Sequence, residues 1–283
     1  METFHVNGQL GHSSIHVGES IKNLETYLPK NQVIIVTDEN IKKYHKTDFP
    51  DVPVITIGTG EDIKTLSTVE TIYRELIRHS CDRSSFIVGI GGGIVCDITG
   101  FVASSFLRGI HFGFVSTSLL SQVDASVGGK NGVNLDSYKN MVGVFNQPDF
   151  VLCDIDLLKT LPAAEISNGL AEIVKHALIK DANMLDYIET NKQKALDLDY
   201  ATIFRLVADS VKIKSQVVQQ DEKEAGERRK LNFGHTIGHA IEKIERAGHG
   251  RAVSMGMVAA AQFSQARGYL SKQDVSRICA LLT

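Results

Sequence analysis

A chain of 283 residues is long enough for one large hydrophobic core or two medium ones. At 43% hydrophobic and 22% charged, with no tryptophan, it is composed like a globular protein and not like a fibrous or disordered one. The net charge of -3 excludes a general pull toward nucleic acid or acidic membranes, so positive charge for an anionic substrate has to be gathered locally. Cys81, Cys96, Cys153 and Cys279 are scattered without a C-x-x-C pair, which points to a reduced, cytoplasmic setting. The start Met1-Glu-Thr-Phe-His-Val lacks the basic and apolar regions of a signal peptide. The most apolar stretch, 86–106, is interrupted by Asp97 and glycines, so no membrane span is expected.

In chain order, the first half alternates short β-branched runs with a helical pattern. Val33-Ile-Ile-Val36 closes in Thr37-Asp-Glu-Asn40, and Val54-Ile-Thr-Ile57 in Gly58-Thr-Gly60. Phe86-Ile-Val-Gly-Ile90 closes in Gly91-Gly-Gly93. These are the marks of buried parallel strands ended by turns. Between them, Ile63, Leu66, Val69, Ile72, Leu76 and Ile77 recur at helical spacing over 61–79. Strand, helix and strand with glycines at strand ends predict a nucleotide-binding α/β domain over 1–160. After Leu161-Pro162 the pattern turns helical over 163–179, 184–195, 201–218, 233–247 and 252–269, so a helical domain is expected over 161–283.

Three stretches can carry chemistry. Gly89-Ile-Gly-Gly-Gly-Ile-Val-Cys-Asp97 follows a strand and opens a helix, where backbone N–H groups can meet a pyrophosphate. Ile94 breaks the G-x-G-x-x-G pattern and no acid follows about 20 residues on, so a plain strand-to-helix turn is the competing reading. Asp38, at an upstream strand end, is a candidate ribose partner or a helix N-cap. Ser126-Val-Gly-Gly-Lys-Asn-Gly-Val-Asn134, followed by Lys139-Asn140, suits an anion or a solvated turn. Leu231-Asn-Phe-Gly-His235-Thr-Ile-Gly-His239 sets two imidazoles one helical turn apart, with His249 beyond and Glu172 on an earlier helix. Such a set suits a divalent metal with an open position; spacing alone leaves open which of His235 and His239 binds it and which handles protons.

Taken together, the stretch from Gly91 to Gly109, Leu119-Leu-Ser-Gln-Val-Asp-Ala-Ser-Val-Gly-Gly-Lys130, Gly169-Leu-Ala-Glu-Ile-Val-Lys175 and the histidine motif running to Glu242 resemble the 3-dehydroquinate synthase family. The likeness runs in order over 33–261. It implies an N-terminal NAD-binding α/β domain followed by an all-helical metal-binding domain, with the site between them. It implies conversion of 3-deoxy-D-arabino-heptulosonate 7-phosphate to 3-dehydroquinate and phosphate, with NAD used catalytically and Zn2+ or Co2+ as the metal. By the same resemblance Glu172, His235 and His249 are the metal ligands, and His239 and Glu224 act in proton transfer. Lys175, one turn on from Glu172, joins them as a catalytic candidate. Asp38, Glu61, Lys64, Gly92, Gly93, Asp97, Thr117, Ser118, Lys139 and Thr160 are implied as NAD contacts. Lys130, Asn140, Asn168, Lys214, Arg228 and Asn232 are implied to hold the substrate, with Arg108 reaching in from the partner of a homodimer. A substrate bearing a carboxylate and a phosphate needs such a set of cations.

The sequence departs from the family at Cys96 (glycine in the family), Ser116 (proline), Ser118 and Asn131 (threonine) and Arg251 (glutamate). Cys96 adds a side chain beside the expected pyrophosphate, and Arg251 changes the charge near His249. Family members continue past the position of Thr283 through helices bearing another phosphate-contacting lysine, so an open-sided phosphate pocket is expected. Two other readings stand beside this one: an NAD- and metal-dependent alcohol or polyol dehydrogenase, and a truncated, non-catalytic paralogue.

Overall fold

The structure, a computed structural model, describes residues 1–136, 138–245 and 248–282. The chain opens with a hairpin of β1 (Glu2–Gly8) and β2 (Gly11–Val17), followed by β3 (Val33–Asp38), α1 (Glu39–His45), β4 (Val54–Ile57) and α2 (Leu66–Arg78). Next come β5 (Phe86–Gly91), α3 (Gly93–Ser105), β6 (His111–Ser116), β7 (Lys130–Leu135), β8 (Tyr138–Phe145) and β9 (Phe150–Cys153). The elements described after β9 are helical: α4 (Ala163–Lys180), α5 (Ala182–Leu196), α6 (Tyr200–Gln220), α7 (His235–Glu245), α8 (His249–Ala266) and α9 (Lys272–Leu282).

Seven strands form one sheet in the order β1-β2-β9-β6-β5-β3-β4. The β1–β2 pair is antiparallel; β2–β9, β9–β6, β6–β5, β5–β3 and β3–β4 are parallel. Residues 33–37 of β3 and all of β5 are buried, because helices and loops cover both faces of the sheet. The chain winds outward from β3 to β4, then crosses to β5 and continues the other way. The resulting crevice lies past the carboxyl ends of β3 and β5, where Asp38 and Gly91–Gly93 sit. The α/β half followed by helices is as the sequence predicts.

Several boundaries differ from the sequence expectation. Over 61–79, Gly60 (φ 85°) starts a single tight turn at Glu61–Ile63, and α2 begins only at Leu66. Thr65 caps it by accepting from the N–H of Thr68. The helix expected from 233 begins at His235, because Gly234 is left-handed at φ 81°. The helix expected from 252 begins at His249, which changes that residue from a loop position to a helix start. Arg246 and Ala247, the end of the helix expected over 233–247, lie outside the described residues, as does Thr283. The stretch 126–134 is not a solvated turn: Ser126 to Gly129 are buried, Gly128 and Gly129 turn at φ 102° and 67°, and β7 follows.

Helices α7 and α8 pack through their backbones. A Cβ on Gly256 of α8 would lie 1.9 Å from the Gly234 carbonyl oxygen, and one on Gly250 would lie 2.4 Å from Cα of Asn168 on α4. No side-chain rotation relieves a clash with backbone, so Gly256 sets how near α8 comes to the start of α7, and Gly250 how near it comes to α4. Gly256→Ala is therefore expected to force the helices apart and to cost about 1–3 kcal/mol of stability. A fall in the denaturant midpoint checks this; an unchanged midpoint would show that the two helices have room to spare.

Candidate metal centre and active site

Ile166, Ile173 and Ala177 of α4 pack into the core, and the helix is buried on every side over residues 171–177, which takes Glu172, Lys175 and His176 out of solvent. Lys175 pairs with Oε2 of Glu172. Both Glu172 oxygens are buried without a hydrogen-bond partner, and the one left outside the ion pair with Lys175 is Oε1. It faces Nε2 of His249 at 3.3 Å and Nε2 of His235 at 3.7 Å. One donor atom from each of Glu172, His235 and His249 lies within 4.8 Å of the others. One carboxylate and two imidazoles converging on one point fit a divalent cation with positions left for a ligand, and the unpartnered Oε1 is the atom such an ion would satisfy. His239 stands one turn on along α7, its ring centroid 5.2 Å from that of His235 and 6.4 Å from that of His249.

Charge supports this arrangement. Burial acts to raise the carboxyl of Glu172, but Lys175, His249 and His235 outweigh it and hold the group at about 2. Burial acts to lower His249, yet Glu172 on one side and Glu242 on the other push it up to about 9. Burial lowers both His235 and His239. Glu242 Oε2 lies 3.7 Å from Nδ1 of His249, and its Oε1 accepts from Lys139 Nζ on β8 at 2.8 Å. A carboxylate behind an imidazole favours the orientation that would present Nε2 to a metal, and here Glu242 also links His249 to the α/β half through Lys139.

The basic residues lie around this centre, each with a partner in the protein. Lys214 on α6 donates to Asp124 Oδ1 at 2.6 Å and to the Asp124 carbonyl at 2.5 Å. Burial brings Lys214 down to about 8, with Asp124 opposing that fall. Lys130 and Asn232 both contact the Glu224 carboxylate, and the two hold it below its ordinary range against the effect of burial. The buried Arg228 donates to the Glu222 carbonyl at 2.6 Å and the Gly128 carbonyl at 2.9 Å.

A second cluster forms beside the glycine turn. Lys64 donates to Asp97 Oδ2 and Asn140 Oδ1, each at 2.5 Å, while Asn134 donates through Nδ2 to Glu61 at 2.8 Å and accepts at Oδ1 from the backbone N–H of Asn140 at 2.8 Å. Asn140 thus sits with the expected cofactor residues. Gly92 approaches Ser118 so closely that a Cβ on it would lie 3.2 Å from the hydroxyl, and the N–H of Thr117 donates to the Gly91 carbonyl at 3.0 Å. Asp38 caps α1 by accepting from Ile41 at 2.9 Å, and burial raises its carboxyl. Thr160 bonds to His45 at 3.0 Å. Cys96 is buried with its thiol on the Gly91 carbonyl at 3.8 Å, so the added side chain points into the core. Asn168 accepts from the Gly250 N–H at 3.1 Å and joins α4 to the start of α8. Arg108 is exposed and left-handed at φ 71°, and among the described residues Asp38 and Thr160 bond only to neighbours outside these clusters.

Three residues of these clusters were not singled out by sequence. Asp124 holds Lys214, and one of its oxygens lies within 4.8 Å of donor atoms of Glu172 and His176. His176 is fully buried, 3.9 Å from Asp124, and burial lowers it to about 3. Glu242 bridges Lys139 and His249. Asp124 and Glu242 lie inside the motifs quoted above, three residues from a histidine in the case of Glu242; a helical-face reading would have flagged it.

Comparison with known proteins places this geometry. The profile described as 3-dehydroquinate synthase N-terminal matches residues 54–168, and that described as 3-dehydroquinate synthase C-terminal matches 169–283. The 3-dehydroquinate synthase of Psychrobacter cryohalolentis is 43% identical over 267 residues, spanning 91% of this chain and 72% of the relative. Among solved structures, a 2-deoxy-scyllo-inosose synthase complexed with carbaglucose-6-phosphate, NAD+ and Co2+ superposes with a TM-score of 0.86 at 29% identity, over 99% of this chain and 82% of its own. The 2-epi-5-epi-valiolone synthase of Streptomyces hygroscopicus, with NAD+ and Zn2+ bound, gives 0.88 at 25% identity over 100% and 82%. By both its halves and its relatives, the chain belongs to the 3-dehydroquinate synthase family.

Proposed function

We propose that the chain converts 3-deoxy-D-arabino-heptulosonate 7-phosphate to 3-dehydroquinate and phosphate in the shikimate pathway, toward aromatic amino acids, with catalytic NAD and one divalent cation, Zn2+ or Co2+. The observation that carries this reading is the convergence of Glu172, His235 and His249 on one point, with the unpartnered Oε1 among them. When bound, NAD supplies reversible hydride removal at the substrate's C5 alcohol, and the cation polarises substrate oxygens as a Lewis acid.

The chain's own residues do the rest. Lys175 keeps Glu172 ionised, and Glu242 holds His249 with Nε2 toward the ligand point. His239, lowered by burial and so favoured in its neutral form, is the base that takes up a proton, and Glu224 is the second proton-handling group. Lys130, Lys214, Arg228, Asn140, Asn168 and Asn232 hold the carboxylate and phosphate, with substrate oxygens taking over donors that now meet Glu224, Asp124 and backbone carbonyls. Asp38, Glu61, Lys64, Gly92, Gly93, Asp97, Thr117, Ser118, Lys139 and Thr160 are assigned to NAD, at the crevice beyond β3 and β5. We divide the chain into a cofactor domain over 1–160 and a metal and substrate domain over 161–283. Exposed Arg108 is assigned to the site of a second protomer in a homodimer. We place the protein in the cytoplasm; no described helix is long and apolar enough to cross a membrane.

Incubation with substrate, NAD and Zn2+ or Co2+ is expected to release phosphate without net NADH. NADH accumulating from a polyol would support a dehydrogenase instead, and NAD binding without turnover would support a non-catalytic paralogue. His235→Ala is expected to lose metal and activity together. His239→Ala is expected to keep the metal while turnover falls about 10²–10⁴-fold; metal loss in that variant would exchange the two roles.

In the metal-free protein His249 is held protonated at neutral pH, with its value raised to about 9. A metal takes only the neutral imidazole, so binding at pH 7 displaces this proton. Apparent affinity is then expected to rise about tenfold per pH unit from 7 toward 9 and to flatten above. Zinc titration with an indicator of released protons checks this, and binding without proton release would contradict it.

A further inference from the structure

Helix α6 ends at Gln220, and the segment that follows carries both Glu224 and Arg228. Asp221 folds this segment back on itself. Its Oδ1 accepts from the N–H of Ala225 at 2.8 Å, and its Oδ2 accepts from Gly226 at 2.7 Å and from Arg228 at 3.0 Å. The three N–H groups lower the carboxyl of Asp221. Inside the loop they close, Glu224 has φ 61°, a left-handed conformation unfavourable to any residue with a Cβ. Its own N–H points back to the Asp221 carbonyl at a long 3.4 Å, too weak to hold that conformation alone. Left-handed backbone turns the Glu224 carboxylate toward Lys130 and Asn232, and the returning chain brings the Arg228 guanidinium under the Glu222 and Gly128 carbonyls.

We infer that Asp221 is a positioning residue whose carboxylate, bonded to three backbone N–H groups, holds Glu224 in its left-handed conformation and so sets the proton-handling carboxylate against Lys130 and Asn232. The inference rests on the reading of Glu224 as a proton-transfer group. Asp221 touches neither the metal cluster nor the glycine turn, so it acts through the loop and not on bound groups directly. Its neighbour Glu222 fixes the same loop from outside, accepting from the Leu10 N–H and from Gln147 Nε2, each at 3.2 Å. The loop is thereby seated on the β1–β2 turn, and the Asp221 carboxylate decides its internal shape.

Asp221→Asn keeps the size of the side chain and one accepting oxygen, but turns the other into an N–H donor. On protein loaded with metal and NAD, amide exchange is expected to accelerate at least about tenfold at Gly226 and Arg228 while the interior amides of α6 keep their protection. In the phosphate-release assay kcat is expected to fall about 10- to 100-fold, the scale of a small misplacement of a reacting group. In a Glu224→Gln background the same change is expected to lower kcat less than about threefold, because the part that acts through Glu224 has nothing left to position, while any displacement of Arg228 shows as a raised substrate KM in both backgrounds. A general loss of stability would reduce the rate by the same factor in both backgrounds, and that result would overturn the inference. Unchanged exchange at Gly226 and Arg228 would overturn it as well. A Glu224→Gln enzyme as fast as its parent would instead overturn the role assigned to Glu224, and the exchange result alone would still decide what shapes the loop.

Discussion

A carboxylate with no exposed surface governs the helical half of this protein. Removing an ion from water costs several kcal/mol unless charge and hydrogen bonds replace the solvent. Glu172 receives a full positive charge from Lys175 on one oxygen, while the other is left to the imidazoles of His235 and His249. Those imidazoles begin two helices whose backbones meet at Gly234 and Gly256 and approach α4 at Gly250. Packing and electrostatics therefore specify the same place: glycines permit the approach, and the buried negative charge requires what the approach delivers.

The same logic extends across the junction between the sheet and the helices. Lys139 on β8 reaches Glu242 on α7, Lys130 on β7 reaches Glu224, and Lys214 on α6 reaches Asp124. Each pair joins one half of the chain to the other and keeps a strong cation near the metal cluster. A chain with a net charge of -3 thus gathers cations locally, each neutralised by a carboxylate partner that the proposed anionic substrate would have to replace. The lowering of Lys214 to about 8 is one consequence of crowding such groups out of water.

Much of the α/β half was legible because its signals are local. Buried parallel strands read as short β-branched runs, and Gly91-Gly-Gly93 marks the turn into α3. Of the strands that escaped sequence reading, β6 and β9 are buried apolar runs of the same kind, and three others lack that signature. β7 holds Gly132 and Asn134, β8 is mostly exposed, and β1 is an edge strand alternating toward solvent. Helix starts escaped for a related reason: Thr65, Gly234 and Gly248 act through caps and left-handed turns that periodicity does not register. Asp124 and His176 carry no spacing of their own and matter through each other and Lys214, distant in sequence, whereas Glu242 has a helical signal, one turn from His239, but meets His249 and Lys139 on other elements.

By itself the sequence determined the fold class, the family and the residue types of the site, since periodicity, glycine turns and the His-x-x-x-His spacing are properties of neighbouring residues. Tertiary structure alone decided which imidazoles share an oxygen of Glu172, that His249 opens a helix, that Cys96 faces the core, and that Arg108 is exposed. The physical reason is that a buried charge interacts over ångströms in space and not over positions in a chain. Its partners come from helices that meet only after the core has packed.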